Sequence, residues 1–170
     1  MKEFAYIHEE GKLPTLLNNI PFLESFTDGH RNDILYSSYF IQCDAGEVLI
    51  EQGADDSRIF ILLTGEAEVV KDSEPITVIN KSGEVFGELA IVSDEKRSAT
   101  VRAKSELLCL VIDQKFLSEI KPEGQNASYY AAFYGFLCKV MADRLKRNTQ
   151  HLAKLEKEIE ELRATVDAKG

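Results

Sequence analysis

Tyr39–Val70 reads YFIQCDAGEVLIEQGADDSRIFILLTGEAEVV, and its rhythm decides the fold. Tyr39–Cys43 is strand-like, Asp44-Ala45-Gly46 turns, and Val48–Glu51 resumes the strand. Gly53-Ala54-Asp55-Asp56 turns again, and Ile59–Leu63 is an apolar run closed by Thr64-Gly65. Glu66–Val70 then alternates, with Ala67 and Val69 on one face. Ile76–Ile79, Ser98–Ala103 and Leu107–Ile112 extend the same texture to residue 113. Short strands at regular spacing, with glycine at the turns, indicate an all-β sandwich or barrel. Gly46, Gly53 and Gly65 read as turn punctuation in that pattern.

On either side the period changes. In residues 1–36, Leu13, Leu16, Leu17 and Ile20 recur at helical spacing, Pro21 interrupts, and Phe22, Leu23 and Phe26 resume. This predicts short helical pieces. Downstream, Asp113 is placed to cap a short helix carrying Phe116, Leu117 and Ile120, which Pro122-Glu123-Gly124 ends. From Asn126 no proline occurs before Gly170. A helix of that length spans roughly 60 Å, too long for a small domain to cover its far end.

That far end is patterned. Leu145, Leu152, Ile159 and Val166 recur every seven residues, with Asn148, Leu155 and Leu162 at the other seam position. Charged residues flank them, as in KLEKEIEELR. Such a stripe supercoils against a partner helix, so a parallel homodimer through residues 138–166 is expected. The domains read as 1–124, a β domain with an N-terminal helical segment, and 125–170, a long helix.

Composition removes several function classes. The 170 residues carry a net charge of −9, with 29 acidic and 20 basic side chains. Nucleic-acid binding needs a basic face, and anionic membranes attract basic segments, so neither partner is expected. Cys43, Cys109 and Cys138 are odd in number and far apart, which fits neither a disulfide scaffold nor a zinc site and suits a reducing cytoplasm. His8, His30 and His151 are scattered, and no Ser-His-Asp or Cys-His arrangement stands out, so no metal and no enzymatic chemistry is expected.

One segment does carry chemistry: Gly83–Ala103, GEVFGELAIVSDEKRSATVRA. Gly87 lets backbone approach a ligand closely. Glu88-Leu89-Ala90 can open a helical turn whose first amides suit an anion. Arg97 offers a planar fork for two phosphate oxygens, and Ser98 adds a hydroxyl. Glu88 would be out of place for a bare phosphate. It makes sense as the acceptor for a sugar hydroxyl on the same ligand, and a ring phosphate fused to a ribose presents both groups together. Asp94 and Glu95 add negative charge nearby.

FGELAIVSDEKRSATV resembles the phosphate-binding cassette of the cyclic-nucleotide-binding domain family, and AGEVLIEQG and FILLTGEAEVV resemble the family's glycine-turned strands. The family includes the catabolite activator protein, protein kinase A regulatory subunits and gated channels. The likeness runs from about residue 20 to 150; Lys96 stands where many members have proline. It implies a mainly β fold with flanking helices: a cupin-like double-stranded β-helix, or eight-stranded jelly-roll barrel, plus a long C-terminal dimerisation helix. It implies that the ligand, cAMP or cGMP, lies against Phe86, Gly87, Glu88, Leu89 and Ala90. Glu88 would accept from the ribose 2′-hydroxyl, and Arg97 would bind the phosphate with Ser98 and Ala99 beside it. By likeness to the catabolite activator's dimer helix, Asn148 and Thr149 fall where the base is contacted and Arg144 where it reaches Glu88; ordinary seam chemistry remains the alternative for Asn148 and Thr149. Neither a recognition helix nor a kinase or channel segment is present. The reading is a sensor answering to an unidentified downstream protein. The alternatives are a degenerate domain serving as a scaffolding dimer, and a fragment of a larger transcription regulator or channel.

Overall fold

The computed structural model of the chain describes residues 1–5, 15–17, 20–93, 95–113, 116 and 127–167. His8, Leu13, Asp94, Leu117, Ile120 and Pro122-Glu123-Gly124 lie outside the described residues. Among the described residues, β1 (Lys2–Ala5) and a 3-10 turn (Thr15–Leu17) precede helices α1 (Pro21–Glu24) and α2 (Asp28–Tyr36). Strands β2 (Ser38–Cys43), β3 (Val48–Ile50), β4 (Ile59–Thr64), β5 (Ala67–Lys71), β6 (Glu74–Ile79) and β7 (Val85–Phe86) follow. Helix α3 (Leu89–Ser93), strands β8 (Thr100–Ala103) and β9 (Leu107–Ile112) and helix α4 (Ala127–Asp167) complete the order.

The strands form two antiparallel sheets, ordered β1-β2-β9-β4-β7 and β3-β8-β5-β6. Strands β2–β9 are the eight of the expected jelly roll. The ninth, β1, corrects the helical reading of the extreme N-terminus. Lys2–Ala5 pairs with Gln42–Tyr39, so the free edge of β2 supplies hydrogen bonds that four residues cannot make among themselves.

The core lies between the sheets. Ile41 and Cys43 of β2, Phe60 and Leu62 of β4, and Leu107, Cys109 and Val111 of β9 face Leu49, Ile50, Ala67, Val101 and Ala103. Ala67 and Val69 take the same inner face, as their alternation predicted. The opposite side chains of β4 and β9 (Ile59, Ile61, Leu63, Leu110 and Ile112) are buried as well. Burial on both faces is why these two strands read as continuous apolar runs.

The chain divides into two units, Met1–Phe133 and Tyr134–Gly170. Within the first, Pro21 occupies the start of α1, where its missing N–H costs nothing, and Thr27 caps α2 by accepting from the His30 amide at 3.4 Å. The first turns of α4 are held by aromatic contacts. Phe22 meets Phe26 and Phe133 edge-on, and Tyr129 packs against Phe26 and stacks on His30 with ring centroids 4.6 Å apart. The second unit is the rest of α4. Its Leu145, Leu152, Leu155, Ile159 and Leu162 are all exposed, flanked by the i,i+4 pairs Lys154–Glu158 and Lys157–Glu161.

Candidate functional site

The sequence segment singled out for its chemistry sits where β7 leaves one sheet and β8 enters the other. Gly87 follows β7 with φ +82°, and its carbonyl accepts a hydrogen bond of 2.5 Å from Arg97 Nη1. A Cβ there would lie 2.8 Å from that same nitrogen and 3.0 Å from the Arg58 carbonyl oxygen. Only glycine brings this backbone against the guanidinium. Glu88 is buried, and its carbonyl accepts from the amides of Ile91 and Val92, which opens α3.

Arg97 is aimed inward by its own backbone. Its amide donates to the Ala54 carbonyl at 3.0 Å, and its carbonyl accepts from Gly53 N–H at 2.8 Å. The turn read as punctuation therefore clamps the residue that follows α3. The side chain is only 3% exposed. Nη2 donates to the Arg58 carbonyl oxygen at 2.7 Å and to Asp56 Oδ2 at 2.9 Å, while Nε has no acceptor among the described residues. A buried, permanently charged group with an idle donor is poised for an anion.

Asp56 and Arg58 are the residues that sequence reasoning missed. The Arg58 fork grips both oxygens of Asp56, Nε to Oδ1 at 3.1 Å and Nη2 to Oδ2 at 3.2 Å, and the Arg58 amide adds a bond to Oδ1 at 3.0 Å. Arg58 Nη1 donates to the Tyr39 hydroxyl at 3.1 Å. Burial opposes ionisation of Asp56, but the hydrogen bonds from Arg58 and Arg97 outweigh it and hold the carboxyl below its ordinary range. Both guanidinium groups lie over the Phe60 ring, at 5.5 Å for Arg58 and 5.9 Å for Arg97. Phe86 stacks on Phe60 with centroids 5.2 Å apart, so this expected site residue supports the ring over which the arginine pair lies. The signal available in sequence was an Asp-x-Arg placed directly before a strand with no polar residue until its last.

The other expected residues fall as follows. Ala90 is buried, Leu89 and Ser98 are exposed, and Ala99 is half-buried. Glu95 and Lys96 are exposed, so the acid at 95 reaches solvent. Arg144, Asn148 and Thr149 lie on α4 in the second unit; Arg144 is half-buried, the other two are exposed, and Thr149 Oγ1 donates to the Leu145 carbonyl at 2.9 Å. Among the described residues no cluster of His, Cys, Asp or Glu could hold a metal ion, and no helix is long and apolar enough to cross a membrane.

Fold and site together define a jelly-roll domain with a buried arginine held between a glycine turn and an aspartate. Residues 40–121 match the family model described as the cyclic nucleotide-binding domain, and this part of the chain belongs to that family. The chain is 34% identical over 100 residues to the cAMP-dependent protein kinase regulatory subunit of Schizosaccharomyces pombe, covering 59% of this chain and 24% of that protein. It is 31% identical over 106 residues to the cGMP-dependent protein kinase of Plasmodium berghei, covering 62% and 12% respectively. Among solved structures, the regulatory domain of Toxoplasma gondii PKA with cAMP superposes with TM-score 0.62 at 18% identity, covering 76% of this chain and 48% of that one. The chain thus spans a quarter or less of these two curated relatives.

Proposed function

We propose that the chain is a cyclic-nucleotide sensor, binding cAMP or cGMP at the 86–99 cassette and signalling through α4 as a homodimer. The observation that carries it is Arg97: buried, charged, tied to Gly87 at positive φ, and with Nε idle. The ring phosphate takes Arg97, with Ser98 and Ala99 beside it. The amides of the residue 87–90 turn face the phosphate, and the Glu88 carboxylate accepts from the ribose 2′-hydroxyl. Asn148, Thr149 and Arg144 on α4 are the further ligand-binding residues proposed, from the family likeness alone. The similarity to the cAMP-dependent protein kinase regulatory subunit supports a binding role rather than a catalytic one. The cAMP in the Toxoplasma neighbour supports the ligand class. The free thiols of Cys43, Cys109 and Cys138 support a reducing, cytoplasmic setting.

Calorimetric titration tests the ligand. A saturable heat with cAMP or cGMP, one site per chain, is expected; silence toward both leaves only a scaffolding role. Binding alters the output only as far as the nucleotide prefers one arrangement of the α4 helices, whose surface a downstream protein reads.

The dimer has its own test. The exposed seam of Leu145, Leu152, Leu155, Ile159 and Leu162 is unstable in water without a partner helix. Light scattering should give twice the chain mass for wild type and a monomer for Leu152→Asp/Ile159→Asp. A monomeric wild type removes the coiled coil from the proposal.

A further inference from the structure

We infer that Arg58 is a positioning residue for the anion site, acting on the ligand through Asp56 and Arg97 without touching it. This rests on the cyclic-nucleotide reading above and adds a residue to it.

The geometry gives Arg58 two tasks. The first is aim. Asp56 receives four donors: the Arg58 amide and Nε on Oδ1, and Nη2 of both Arg58 and Arg97 on Oδ2. Three of the four come from Arg58. They fix the plane of the carboxylate, and that plane sets where Oδ2 meets Arg97. The remaining Arg58 donor reaches Tyr39 on β2, which anchors the fork to the sheet, while the Arg58 carbonyl holds the other Nη2 hydrogen of Arg97. Arg97 is thus oriented by the Gly87 carbonyl, by the Arg58 carbonyl and by Asp56, which the Arg58 side chain holds in place, leaving Nε as the donor without an acceptor among the described residues.

The second task is charge. A buried arginine paired with one aspartate is a neutral pair, and a diester monoanion gains little from it. Arg58 shares the same carboxylate, so the set Asp56, Arg58 and Arg97 carries a net charge of about +1 at any ordinary pH. Two like-charged guanidinium groups beside one ring would repel; the shared carboxylate between them and the Phe60 face beneath make the arrangement tolerable. In a chain of net charge −9, this local excess matters more than it would in a basic protein.

The test compares nucleotide affinities of the full chain by calorimetry, with thermal melting to verify folding. Arg58→Met should weaken binding about tenfold, the scale of one charge acting through an effective protein dielectric of about 20. Arg58→Lys, which keeps the charge but loses the fork, should recover part of that loss. In Arg58→Met/Asp56→Asn, removing the acid that now cancels Arg97 should restore affinity above that of Arg58→Met alone. A purely structural Arg58 predicts the opposite, since a second lesion in the same cluster would add to the first. Wild-type affinity in Arg58→Met, or further loss in the double variant, overturns the inference and leaves the sensor reading standing. A wild type silent to both nucleotides removes the sensor reading and this inference with it.

Discussion

Arg97→Ala should weaken cyclic-nucleotide binding by roughly 100- to 1,000-fold, equivalent to about 3–4 kcal/mol for truncating one partner of a buried, hydrogen-bonded charge pair. The size follows from burial. At 3% side-chain exposure the guanidinium has little water around it, so its field on a bound anion is weakly screened and its idle Nε gains a full charge-assisted bond. The alanine variant also strips donors from the Gly87 carbonyl, the Arg58 carbonyl and Asp56, which costs stability of about 1–3 kcal/mol per group left unsatisfied. The affinity must therefore be read well below the melting midpoint. Thermal shift provides an independent readout. A nucleotide at one hundred times its dissociation constant stabilises wild type by about 2.7 kcal/mol, and the same concentration should stabilise the variant by no more than about 0.4 kcal/mol. A folded Arg97→Ala protein with unchanged affinity would place the phosphate elsewhere.

What the sequence made legible follows a physical division. β9 was readable because Leu107–Ile112 is apolar on both faces, and β5 because Ala67 and Val69 alternate with outward residues. Such strands carry their assignment in their own side chains. β1 and β7 do not. Each is short, and each exists because a neighbour, β2 or β4, offers an open edge at a distant point in the chain. The site divides in the same way. Gly87, Glu88 and Arg97 were found because phosphate and ribose demand those residue types within one continuous segment. Asp56 and Arg58 lie some forty residues earlier and join the site only through the turn that bonds Gly53 and Ala54 to the Arg97 backbone. Asp-x-Arg before an apolar strand marks a candidate, but nothing local records that closure; an aspartate in a glycine turn reads as punctuation whether or not an arginine from the α3–β8 connection comes to meet it.

Gly65→Ala should be the most damaging single methyl in the barrel. Gly65 turns the chain between β4 and β5 at φ +86°, and an added Cβ would fall 2.2 Å from the Glu106 carbonyl oxygen and 2.6 Å and 2.7 Å from Cβ and Cα of Leu107. Those atoms cannot withdraw easily. The turns at 64–66 and 104–106 are laced together: the Glu66 carbonyl accepts from the Lys104 and Ser105 amides, and the Glu66 amide donates to Ser105 Oγ. Leu107 then enters β9 and the core, so a shift there propagates into the central sheet. Left-handed backbone strain of about 1–3 kcal/mol and overpacking of about 1–3 kcal/mol together approach the whole stability of a marginal domain. A fall in melting midpoint of more than about 10 °C, or failure to fold, is the expected result in thermal denaturation. Gly46→Ala is the matched comparison, because Gly46 has φ +91° but open space where its Cβ would go. It bears the backbone strain without the collision. The difference between the two variants isolates what the lacing contributes; equal losses would mean that the 104–106 turn yields, and that the two sheets are joined there less tightly than the geometry indicates.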